Sequence, residues 1–65
     1  MNGSDRKKLI KAGFAVMRAC NINKTITRLN ANGAWVLVGR YVTKAALQRA
    51  VNDMREDDKT IFETD

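Results

Sequence analysis

Histidine is missing from this chain and cysteine occurs once, at Cys20. A zinc-ligand set, a disulfide framework, a histidine general base and a Cys–His dyad are therefore excluded, and with them most enzyme mechanisms. Long apolar runs are missing too: residues 14–17 and 34–39 are the longest, far short of the roughly 20 that a membrane helix needs. The charges at residues 5–8 lead into an apolar stretch soon broken by Lys11 and Arg18, so no signal peptide, no membrane partner and a cytoplasmic location are expected. There is no repeat, proline-rich linker or low-complexity segment. At 65 residues the chain is one small domain, 1–65, close to the lower limit at which a core stabilises itself without metal or disulfide.

What is present is positive charge, unevenly spread. Residues 1–49 hold ten Lys or Arg and one acid, and residues 50–65 hold two and six. Halves of +9 and −4 within a net +5 suggest a polyanion partner and an acidic C-terminal tail, residues 57–65. A solvated, solubilising surface is the competing explanation.

The pattern predicts an α+β fold: a short N-terminal helix, a small antiparallel sheet of two or three strands including a β-hairpin, and a C-terminal helix packed on the sheet. Ser4 reads as an N-cap with Asp5 in the first turn, and Gly13 as the residue that stops the helix. The same segment also supports a longer helix, because Leu9, Ile10, Gly13, Phe14, Met17 and Cys20 recur at spacings of three and four. Residues 14–19 are thus open between helix and strand, giving α-β-β-α or α-β-β-β-α.

The hairpin is the clearest local signal. Residues 24–29 and 34–41 are rich in β-branched and aromatic side chains, and Asn32-Gly33 between them is the preferred two-residue turn. That turn sets Leu29 against Val36 and Thr27 against Val38, a parity that a four-residue loop preserves. Thr43 then caps a helix over residues 44–56, with Leu47, Ala50, Val51 and Met54 on its buried stripe and Val42 stapled to Leu47. Ile61 and Phe62 are candidates to dock back on the core.

Several segments together, Lys8-Leu9-Ile10-Lys11-Ala12-Gly13-Phe14, Trp35, Tyr41-Val42-Thr43-Lys44-Ala45-Ala46 and Asp57-Asp58-Lys59-Thr60-Ile61, resemble a group of short uncharacterised bacterial proteins. The resemblance covers nearly the whole chain, carries no catalytic signature and brings no known activity. What it implies is structural: in that group the segment after Gly-Phe is usually β-branched, which favours the strand for residues 14–19.

Alternation along the hairpin places Lys24, Ile26, Arg28, Trp35, Leu37, Gly39 and Tyr41 on one face and Thr25, Thr27, Leu29, Val36, Val38 and Arg40 on the other. The first mixes rings with cations, as single-strand platforms do. It also holds the largest apolar side chains, which makes it the expected core face, with Lys24 and Arg28 snorkelling at its edge.

A three-stranded sheet backed by a helix and ringed by cations also resembles, at fold level, the arm-type DNA-binding domains of phage integrases. The candidate phosphate contacts are Arg18, Lys24, Arg28, Arg40 and Lys44, with Arg6, Lys7, Lys8 and Lys11 as a second cluster. Asp53, Glu56, Asp57 and Asp58 lack the loop glycine and ligand spacing of a calcium site, and Cys20 reads as a small buried hydrophobe. No metal, cofactor or small-molecule substrate is expected. The function expected first is a non-enzymatic nucleic-acid-binding module, for DNA in a bacterial or mobile-element setting. The alternative is a protein-interaction adaptor or inhibitor using the hairpin face or the sheet edge.

Overall fold

The computed structural model describes residues 3–63. Its order is α1 (Gly3–Lys11), β1 (Ala15–Cys20), β2 (Thr25–Leu29), β3 (Trp35–Arg40), α2 (Lys44–Arg55) and β4 (Thr60–Glu63). None of the described helices is long and apolar enough to cross a membrane.

Gly13 decides the first ambiguity. It takes a left-handed φ of 92°. The Phe14 amide then donates to Leu9 O at 2.9 Å and the Gly13 amide to Ile10 O at 3.1 Å, the paired bonds that close a helix end in a Schellman motif. A continuous helix through residue 20 is thereby ruled out, and residues 15–20 run as a strand. Ser4 lies inside α1 rather than before it, so its expected capping role is not realised.

The sheet order is β3-β2-β1-β4. β1, β2 and β3 form an antiparallel meander. β4, which the sequence reading did not separate from the acidic tail, then adds parallel to β1, with Val16 opposite Ile61 and Met17 opposite Phe62. The sheet is accordingly mixed rather than antiparallel. Residues 57–59 form the turn into β4: Asp57 Oδ1 accepts from the Lys59 amide at 2.9 Å, and the Lys59 carbonyl accepts from the Ala15 amide at 2.7 Å. The last two positions of the expected tail lie outside the described residues.

Hairpin register departs from expectation in two places. Asn30 Oδ1 accepts from the Asn32 and Ala34 amides at 2.9 and 3.0 Å, and Gly33 takes φ 85°. The loop therefore spans three residues rather than two or four. Leu29 faces Trp35 and Thr27 faces Leu37. An irregularity between Ile26 and Thr27 then shifts the register, so that Ile26 faces Gly39. One residue of slip moves side chains to the other face. Because the loop has three residues, Trp35 and Leu37 leave the face of Ile26 and Arg28 and join that of Thr27 and Leu29, while the irregularity acts only on the pairs beyond it.

Helix α2 covers the Ile26 face. Met17, Ile26, Leu47 and Val51 form its buried centre, with Ala15, Ala19, Tyr41, Ala50, Met54 and Phe62 packed around them. Thr43 caps α2 as expected, its Oγ1 accepting from the Ala46 amide at 3.1 Å. Val42 is 89% exposed, so the staple to Leu47 does not form; Leu47 is held by the sheet instead. By strand alternation, Val16, Arg18, Leu29 and Trp35 occupy the opposite face, where α1 lies against β1.

Candidate nucleic-acid interface

Strand β1 presents Arg18 to the α1 face, where its guanidinium carbon sits 4.3 Å from the centre of the Trp35 ring. One of its nitrogens lies 3.8 Å from Glu63 Oε1. Arg6, one turn into α1, reaches the same two residues: its Nε donates to Glu63 Oε2 at 3.0 Å, its Nη2 donates to Glu63 Oε1, and its guanidinium carbon is 5.8 Å from the Trp35 centroid. The Glu63 side chain is 8% exposed. The hydrogen bonds from Arg6, then its charge and that of Arg18, hold the Glu63 carboxyl below its ordinary ionisation range against the opposing effect of burial. Arg18 is thus engaged in an internal cluster that ties α1, β1, β3 and β4 together.

The other candidate cations separate into two groups. Lys24, Arg40 and Lys44 gather at one end of the sheet. Lys24 closes the β1–β2 turn with a left-handed φ of 53° and accepts the Tyr41 amide on its carbonyl at 2.8 Å. Arg40 pairs with Thr25, and Lys44 begins α2. Arg28 stands apart, exposed on the α2 face between Met17 and Val36. Arg28 and Arg40 therefore point to opposite sides of the sheet, and the five candidates do not form one surface.

The α1 lysines, the second cluster of the sequence analysis, are the ones that share a single element. Lys7, Lys8 and Lys11 are all exposed on a helix that packs on the same face as Trp35. No acid occurs from residue 6 to residue 52. Four of the acids, Asp53, Glu56, Asp57 and Asp58, collect at the C-terminal end of α2 and the turn after it, on the other side of the sheet. The α1 side keeps its positive field as a result. Among the described residues no group of three or more His, Cys, Asp or Glu is placed to hold a metal ion.

Edge strand β3 carries a different signal. Val36, Leu37 and Val38 are 50%, 48% and 45% exposed, and among the described residues one side of their backbone has no neighbouring strand. Cys20 sits half-buried at the end of β1. No family model, curated protein or solved structure matches this chain.

Proposed function

We propose that the protein is a non-enzymatic nucleic-acid-binding module whose contact surface is the α1 side. The observation that carries this reading is the segregation of charge: Lys7, Lys8 and Lys11 are exposed on α1, four of the acids gather beyond the sheet at the end of α2, and of the two acids on the α1 side, Asp5 and Glu63, the latter is paired with Arg6 and Arg18. Cations that neutralise phosphates release counterions, so affinity falls steeply with salt. Fluorescence anisotropy with duplex and single-stranded probes at two salt concentrations tests it. Lys7→Ala with Lys11→Ala should weaken all sequences alike and flatten the log-affinity against log-salt slope by about one unit per lost contact. No detectable binding at low salt overturns the reading.

A specific observation favours a second reading, a protein adaptor that accepts an added strand along β3. No charge or proline interrupts residues 35–39, whereas exposed edges are ordinarily guarded by such residues. Partner capture through this edge would resist salt and be lost in Val38→Lys, with little change in melting temperature.

A further inference from the structure

Between α1 and the end of the hairpin lies an open cleft of about 310 Å³. Its floor is apolar: Ile10, Leu29 and Trp35. Its α1 wall carries Arg6, Lys7 and Lys11. These wall residues recur at helical spacing with Gly3 and Ile10, so one face of α1 presents cations above an apolar floor. The facing wall is the hairpin loop, with Ala31 exposed at the rim. The three-residue loop and the parity it imposes bring Trp35 to this side.

A recess with an apolar, partly aromatic floor and a cationic rim complements a ligand with a flat apolar body and an attached anion. A nucleotide unit of a single strand has that build: the base enters the recess and the flanking phosphates meet Lys7 and Lys11. The size is at the small end for ligand pockets, roughly 300–1,000 Å³, suited to one base rather than a stretch of strand. A paired base in a duplex is stacked on both faces and cannot enter without being extruded. We infer that the α1–hairpin cleft is a recess for one unpaired base, which gives the module a preference for single-stranded nucleic acid. This inference rests on the proposed function and specifies the contact made at that surface.

Trp35 is the only tryptophan, so its fluorescence reports on the cleft directly. The intact protein is titrated with a short oligo(dT), with the same backbone lacking its bases, and with a duplex. Oligo(dT) should shift or quench the Trp35 emission saturably, and the abasic strand should bind about tenfold more weakly with no such change. Ala31→Phe, at an exposed loop position, should fill the recess. It should abolish the response to oligo(dT) and cost about tenfold in its affinity, with salt-sensitive duplex binding retained as the check on folding. Equal binding of oligo(dT) and the abasic strand with silent Trp35 overturns the cleft inference, and salt-sensitive duplex binding in that case leaves the proposed function standing. Failure of all three probes at low salt overturns both.

Discussion

Glu63, on the last strand, accepts a hydrogen bond from Arg6, on the first helix, at 3.0 Å across 57 positions of sequence. The carboxylate also lies 3.8 Å from Arg18, so one acid answers two guanidinium groups that both approach Trp35. This pairing ties helix α1 to strand β4 through side chains.

The pH dependence follows from the direction of the Glu63 shift. Its folded carboxyl ionises below the ordinary value of 4.5, so the charged form favours folding. That contribution is complete above the ordinary value and is lost as pH falls through the folded one. Glu63→Gln should lower the neutral-pH melting temperature by a few degrees and remove part of the acid dependence. Melting curves of the two proteins should converge at low pH and approach each other in high salt. A constant gap from neutral to acid pH would show that the carboxylate charge is not the stabilising feature.

Ile26, with no exposed surface, should matter more to stability than Trp35, which is only half-buried. Ile26→Ala leaves a cavity beneath Leu47 and Val51 and should cost about 2–5 kcal/mol, enough to unfold much of so small a domain. Trp35→Ala gives up cation–π contacts and partial burial, and should cost about 2–3 kcal/mol. Urea denaturation ranks the two; the reverse order would place the mechanical centre of the fold on the α1 face.

At Gly13 the test isolates backbone conformation. An added Cβ would find no atom within 4 Å, so Gly13→Ala meets no clash and pays only for its φ of 92°. The cost should be about 1–2 kcal/mol, read as a lower urea midpoint with an unchanged m-value.

Truncation after residue 59 is expected to unfold the protein rather than merely trim an acidic tail. It removes the whole of β4, including Phe62 from the core and Glu63 from Arg6 and Arg18. A cooperative melt of the truncated chain, seen by circular dichroism, would contradict this.

Local signals were legible where one residue type has one physical use. Thr43 capped α2 and the stripe Leu47, Ala50, Val51 and Met54 faced the sheet as spacing required, whereas Gly13 suited both a helix end and the stripe of a longer helix until its φ of 92° decided between them. The hairpin position was readable from Asn32-Gly33, but its loop length was not. The side chain of Asn30 drew two loop amides to itself and enlarged the turn by one residue. Hydrophobic patterning offered no correction, because Trp35, Val36, Leu37 and Val38 are apolar on both parities. β4 was hidden for another reason: four residues after an acidic turn make a weak strand signal, and their pairing with β1 is set by the path of α2 rather than by anything local. The candidate cations are a different case. Arg28 and Arg40 share a charge type, but alternation along the hairpin already sets them on opposite faces, and the observed register keeps them there.

Contact between Arg6 and Glu63 also brings the first helix and the last strand of the described residues within side-chain reach of each other. A flexible linker leading from Glu63 back to Gly3, with a new opening cut at the exposed Ala31-Asn32-Gly33 loop, would leave the β1–β2 and β1–β4 ladders covalently undisturbed. Such a circularly permuted chain would free the hairpin tip as a pair of loose ends beside the cleft, so the site could be altered or labelled there while the sheet stays continuous.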